Sequence, residues 1–427
     1  MIKKNIKIAA FLLVAVVANQ EVFSQNPLGQ EDRDQKRGRN VITTAVPSML
    51  IGPDSRTGAM GEAGVAIDND MNAQHWNSSK YVQFENPYGA TFSFSPWLAG
   101  LGVNDIYLAY LAGYTKIGNA NAVSFALRYF SMGEMQFTND QGEDLNKFSP
   151  HEFSIDAGYS RILVENLSMG MTGRFIYSQL SNIMQGGGNQ TDVKPGMAAA
   201  VDVSLFYSKN LKSERAESNK IAWGLCISNI GNRISYNSSI ARSYLPTNFR
   251  TGIAYTVGID KFHKLTFAFD LNKLLVPSPP IWLRDSANRL VLDPTGAPQI
   301  ASGKDPIETN PASALITSWY DAPGRWDEAK GKYVGKFGEE MAEFIQNFGM
   351  EYGYSDVFFI RTGFFNEAAT KGNRKYMTFG VGVKYSIFCI DASYILPVSA
   401  RHHPLQNTLR FSVSFDFAAK KNKKDKQ

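Results

Sequence analysis

Two cysteines in 427 residues, Cys226 and Cys389, are too few for a disulfide framework. Both fall inside segments that read as strands, where a small core or lipid-facing residue is the expectation; spacing alone leaves a disulfide open. Histidine is as scarce, with five in all. The one adjacent pair, His402-His403, has no carboxylate cluster near it and reads as loop chemistry rather than a metal site. No G-x-S-x-G elbow, H-E-x-x-H, P-loop or C-x-x-C occurs. Gly186-Gly-Gly188 is followed by no helix start, so it reads as a loop tip and not a phosphate cradle. Acid pairs such as Glu339-Glu340 read as solvated helix positions. The expectation is therefore no enzyme, no catalytic residue, no cofactor and no metal.

Long apolar runs are missing as well. Lys3, Lys4 and Lys7 precede the apolar stretch from Ile8 to Ala18, and Val22-Phe-Ser24 offers a cleavage site, the pattern of an export signal over residues 1–24. That stretch is shorter than the ~20 residues of a spanning helix, and no later segment reaches that length without charges. Excess charge of one sign is missing too. The formal net charge is +5. Residues 1–24 carry three Lys and one Glu, so without them the balance is +3. The tail from Lys420 to Gln427 carries five Lys and one Asp, which leaves the remainder near −1. This is not the balance of a nucleic-acid-binding protein. The tail, residues 418–427, reads as a solvated basic end on the periplasmic side.

Period-two alternation is abundant. In Leu409-Arg-Phe-Ser-Val-Ser-Phe-Asp-Phe417 every odd position is apolar and every even one polar or charged, so one face of a strand is greasy and the other wet. Fourteen such segments start near residue 90: 90–96, 105–113, 121–130, 152–161, 167–179, 196–208, 220–230, 248–258, 263–273, 345–355, 357–365, 375–386, 387–396 and 407–417. Connections alternate between mostly short and mostly long, as in barrels with periplasmic turns and external loops. In a bilayer only helices and closed barrels satisfy the backbone. The fold class is therefore all-β, a transmembrane antiparallel barrel of about 14 strands over residues 90–417 in the outer membrane, with external loops at the cell surface. Phe411, Val413, Phe415 and Phe417 are expected on lipid. Arg128, Asp156, Arg174, Asp202, Arg250, Asp270, Arg361, Lys384, Asp391, Arg410 and Asp416 share the opposite parity. They form either a charged conduit or a set that cancels and fills the barrel.

Two regions lie outside this pattern. Residues 25–45 hold the charged run from Gln30 to Arg39 and read as flexible. Residues 46–89 are dense in small residues and read as an N-terminal plug in which Gly61 and Gly64 allow close backbone approach. Between Leu274 and Phe344 lies the longest insertion, an external loop rich in proline, with Trp282, Trp319 and Trp326. Gly338 to Asn347 reads as a short helix closing it. Tryptophan is enriched at interface hot spots, so these three are candidate partner-binding residues. The bland alternative is that they pack the loop onto the barrel rim.

Several short blocks resemble one family. Ser55-Arg56, Met60-Gly-Glu-Ala-Gly-Val-Ala66, Gln74-His-Trp-Asn77, Phe94-Ser-Pro-Trp-Leu98, Leu101-Gly-Val-Asn-Asp105, Leu127-Arg-Tyr-Phe-Ser-Met-Gly133 and Phe269-Asp-Leu-Asn-Lys-Leu-Leu-Val-Pro277 are similar to the PorV (LptO) proteins of Bacteroidetes. Asn77-Ser-Ser-Lys80 departs from the Asn-Pro-Ala-Lys common there. The resemblance implies a barrel like the FadL fatty acid transporters and a role in the type IX secretion system. That role is a shuttle that binds the C-terminal signal domain of secreted cargo. The shuttle carries cargo from the translocon to a surface sortase and attachment complex. The implied partners are cargo signal domains, the translocon, the sortase complex and outer-membrane lipids, with no nucleic acid. A FadL-like transporter of hydrophobic molecules and a lipid A deacylase are the alternatives.

Overall fold

The computed structural model describes residues 40–98, 105–138, 144–180, 194–211, 219–236, 242–285, 289–294, 296–327, 330, 332–398 and 408–417. The signal segment, the basic tail, Gly186-Gly-Gly188 and His402-His403 lie outside the described residues.

The strands in chain order are β1 (Tyr88–Pro96), β2 (Ile106–Ile117), β3 (Asn121–Met132), β4 (Met135–Thr138), β5 (Asp144–Phe148), β6 (His151–Val164), β7 (Leu167–Gln179), β8 (Gly196–Leu211), β9 (Asn219–Gly231) and β10 (Asn248–Gly258). They continue as β11 (His263–Leu274), β12 (Ile281–Trp282), β13 (Ile300–Ser302), β14 (Arg325–Asp327), β15 (Lys332–Val334), β16 (Ile345–Tyr354), β17 (Phe358–Asn366), β18 (Lys375–Tyr385), β19 (Phe388–Pro397) and β20 (Leu409–Phe417). Fourteen of them close an antiparallel barrel in the order β1-β2-β3-β6-β7-β8-β9-β10-β11-β16-β17-β18-β19-β20, with Tyr88 opposite Phe417 at the seam. The remaining six form three small hairpins outside the wall. No described helix is long and apolar enough to cross a membrane.

Alternation sets the two faces. Along β20, Arg410, Ser412 and Ser414 are buried inside while Phe411 and Phe415 are exposed outside. A bilayer supplies the apolar surroundings that those outward aromatics need. Several strands outrun the apolar pattern at the short-turn end. β2 reaches Ile117 and β6 reaches Val164, because ladder pairing continues to Ile117 opposite Asn121 and Val164 opposite Leu167. The turns there are tight. Asn166, Ser355, Asp356 and Ser386 all have positive φ.

Residues 45–84 lie inside the barrel and run from the long-loop end to the short-turn end. At the first end the Ala45 amide donates to Tyr244 O at 2.9 Å, and Ser48 donates to Glu152. At the other, Lys116 Nζ donates to Phe84 O at 2.6 Å. The segment holds a 3-10 turn (Pro47–Leu50), helix α1 (Ser55–Gly58), helix α2 (Ala73–Trp76) and a second 3-10 turn (Ser78–Gln83). Asp54 caps α1 by accepting from Thr57 N at 2.8 Å. Met60, Ala63, Val65, Ala66 and Ile67 pack on Phe206, Ala222, Cys226, Ala254 and Ala268 of the inner wall. Gly61 has φ +66°, and a Cβ there would overlap the Phe348 and Phe364 backbone. A Cβ on Gly64 would meet the Trp76 ring. Two further helices, α3 (Pro311–Thr317) and α4 (Lys336–Ala342), belong to the long loop.

Candidate functional site

The inner wall carries charge, and most of that charge is spent on neighbours. Arg174 spans Asp156 and Asp202, with Nη2 at 2.8 Å and 3.0 Å from their carboxylates. Arg361 reaches Glu351 and Asp391, both at 2.6 Å. Others hold the inner segment. Arg56 Nη2 is 2.9 Å from Glu351. Arg410 Nη2 is 2.8 Å from Glu62. Arg128 donates to Ser48 O and Ile51 O at 2.9 and 3.0 Å. Asp270 accepts the Gly64 and Val65 amides at 2.7 and 2.9 Å. Arg250 lies 4.6 Å from the Trp76 ring. Lys384 and Asp416, 3.5 Å apart, are the more exposed pair of the luminal set. Of the two readings of the luminal charges, cancellation and filling is the observed one. Unpaired buried charges would be costly, and these are paired across the wall or to the segment within it. Cys226 and Cys389 are both free thiols.

The long loop is folded. β12 pairs β13 and β14 pairs β15. Its anchor is Lys273, which has the outward parity of Phe269 and Leu271 yet is 1% exposed. Lys273 Nζ is 3.0 Å from Glu340 Oε2 and also pairs with Glu343. Lys371, between β17 and β18, lies 2.7 Å from Glu339 and 2.9 Å from Glu343. Ser278 donates to Glu343 at 2.7 Å. The Ala322 and Gly324 amides donate to Glu340 and Glu339, each at 2.7 Å. Asn40 joins from the N-terminal side, donating to Pro279 O at 2.8 Å and Glu339 at 3.3 Å. Asp321 is buried beside them. Burial first, then the Glu340 and Glu343 charges, push its carboxyl up to about 6, against the pull of Ser278.

This cluster corrects one expectation. Glu339-Glu340 is not a solvated pair: Glu340 is buried, because its helix turns these acids toward Lys273, Lys371 and the loop backbone. The helix also begins earlier than residue 338 and stops at Ala342, and Ile345 onward is strand. No local signal in the sequence marks Lys273, because a cation at the interface end of a barrel strand is tolerated and can snorkel into water.

The three tryptophans stand on separate elements. Trp282 is half-buried in β12. Trp326 sits in β14 opposite Tyr333. Trp319 follows α3, its indole N–H donating to Leu315 O at 3.0 Å. Its ring lies edge-on to Phe249 at 5.2 Å and tilted toward Phe344 at 6.1 Å. Trp319 therefore packs the loop on the barrel rim while keeping 40% of its surface open. No group of acids, histidines or cysteines suited to a metal occurs among the described residues.

Solved structures with a similar chain course include three bacterial proteins. The toluene transporter TbuX of Ralstonia pickettii is 12% identical, over 86% of this chain and 97% of that one, with TM-score 0.45. The toluene transporter TodX of Pseudomonas putida is 10% identical over 86% and 99%, with TM-score 0.45. A FadL homologue of Pseudomonas aeruginosa is 10% identical over 86% and 99%, with TM-score 0.38. Comparison with curated proteins gives no match. A family model described as type IX secretion system protein PorV matches residues 33–281, more than half of the chain. With the closed fourteen-strand barrel, that match makes the chain an outer-membrane member of the PorV family of the type IX secretion system.

Proposed function

We propose that this protein is a non-enzymatic binding and shuttle component of type IX secretion. Its long loops face the cell surface and hold the C-terminal signal domain of secreted cargo between the translocon and the sortase and attachment complex. The observation that carries this reading is the contrast between a filled lumen and a folded loop. Residues 45–84 occupy the barrel and the wall charges are paired to them or to each other, which leaves no advantage to a hydrophobic solute passing through. At the rim, by contrast, the chain from Leu275 to Phe344 builds two hairpins and two helices that the barrel does not need for closure. Trp282 and Trp326, on the hairpins, are the candidate contacts. For deacylation a nucleophile paired with a base would be needed, and the loop cluster is made of acids and lysines committed to one another.

The test is deletion of roughly residues 285–335, which retains Glu340, Glu343 and their lysines. The barrel should still insert and keep its heat-resistant mobility in detergent. Secreted cargo should then accumulate in the periplasm or stay uncleaved. Normal display of cargo on cells carrying the deletion would overturn the proposal.

A further inference from the structure

The two helices of the long loop turn large apolar side chains outward. In α4 the acid Glu340 turns inward, as does Glu343 just past its end, Glu340 5% and Glu343 6% exposed, while Phe337 is 76% exposed. Met341, one turn on from Phe337, is also exposed. In α3, Ala314 is buried and Ile316 is 68% exposed, followed by open Trp319 and Tyr320. A surface helix in water shows the reverse arrangement. Exposed large apolar groups clustered in this way mark a contact with something apolar.

The neighbours identify what that is. Both helices are anchored at Lys273: α3 through Trp319, whose ring centroid is 6.0 Å from its Nζ, and α4 through Glu340 and Glu343. The Ala322 amide bonded to Glu340 ties the two together. Lys273 and Phe249 are register partners, and both have outward parity. Below them the same outer face continues through the Phe269–Phe348 ring pair, 4.7 Å between centroids, and through exposed Ile253, Phe267 and Met350. The apolar surface of the loop is thus the upper margin of the lipid-facing wall. Its chemistry changes as that of a membrane interface does. Trp319 keeps its N–H satisfied on Leu315, and Lys304 Nζ sits 4.4 Å over the Tyr320 ring. Trp and Tyr are enriched at headgroup level for this amphipathic character.

We infer that α3, α4 and the Trp319-Tyr320 pair form a ledge lying in the outer leaflet of the membrane, with Ile316, Phe337 and Met341 against acyl chains. The ledge fixes the height and tilt of the loop, and the hairpins bearing Trp282 and Trp326 stand above it in water. This inference is independent of cargo binding and extends beyond it, since it assigns one side of the loop to lipid.

The test uses the full chain in phosphatidylcholine–phosphatidylglycerol vesicles, with Cys226→Ser and Cys389→Ser. A nitroxide is placed in turn at Phe337→Cys, Ile316→Cys, the lipid-wall control Phe411→Cys and the aqueous control Lys330→Cys. The ratio of oxygen to nickel-chelate accessibility should be several-fold higher at 337 and 316 than at 330, approaching that at 411. Nickel accessibility equal to that at 330 would overturn the ledge. Shielding from both reagents would also overturn it, in favour of a surface covered by protein. A second measurement keeps the native cysteines. Lipids brominated near the headgroup should quench tryptophan emission, and Trp319→Phe should remove a measurable part of that quenching. Quenching unchanged by Trp319→Phe would count against the ledge.

Discussion

On the luminal wall the buried cations are arginines; at the outer rim they are lysines. Arg128, Arg174, Arg250, Arg361 and Arg410 line the described lumen, whereas Lys273 and Lys371 hold the loop. The guanidinium is a planar fork that fixes two partners at set angles, and the ammonium is a point charge on a flexible stem. The geometry follows that distinction. Arg174 holds a carboxylate on each neighbouring strand, and Arg361 holds Glu351 on the neighbouring β16 and Asp391 on β19, beyond β18, which sets the spacing of the wall. Lys273 and Lys371 share Glu343 and use the remaining acids of one short helix. The lumen is built to stay as it is. The loop is held by contacts that tolerate adjustment.

The largest effect is expected in the lumen. Arg174→Ala leaves Asp156 and Asp202 buried without their cation. The expected loss is ~3–5 kcal/mol of barrel stability, read from urea unfolding of the folded protein in detergent. A change near zero would mean that the lumen pairs are as dispensable as surface ones. At the rim, Lys273→Met strands Glu340, while Glu343 keeps Lys371, and it affects a part that can open toward water. The expected loss is smaller, about 1–3 kcal/mol, and local. Limited proteolysis should speed up between residues 275 and 344 while the barrel keeps its heat-resistant mobility. Loss of the whole barrel would erase the distinction between the two regions.

Asp321 gives the gentlest probe. Its carboxyl titrates at about 6 in the folded loop, above its ordinary value of 3.8. Because the folded value is raised, the protonated acid favours the folded loop. That contribution is complete below the ordinary value and is lost as pH rises through about 6. Protease protection of the loop should therefore fall across that window. In Asp321→Asn the step should vanish, with protection staying at the low-pH level. An unaltered step in the variant would assign the pH dependence to other groups.

Much of the barrel was legible because its physics is local. A strand that meets lipid on one side and a polar interior on the other must alternate, and most of the barrel strands show this in their own residues, β2 with its inward Leu108, Tyr110 and Ala112 being an exception. The tight turns were legible for the same reason. The contacts of the inner segment were not, because their partners are distant in sequence. The Gly61 amide donates to Thr378, 317 positions away, at 2.9 Å, and Arg410 meets Glu62 across 348. The small residues from Met60 to Ala66 announced close packing without saying against what. In the loop, tryptophan content pointed to a structured element, and Trp319 proved to be a rim contact as well as an open surface. Glu339-Glu340 was misread because an acid pair on a helix looks solvated until its lysines arrive from β11 and from the β17–β18 connection.

With residues 45–84 inside it, the barrel is a filled support and not a path. Purified full-length protein in a planar lipid bilayer tests this most directly. The paired charges and the segment from Ala45 to Phe84 predict a silent membrane at modest voltage. Stepwise conductance of the kind an open porin gives would mean that the lumen is an open path.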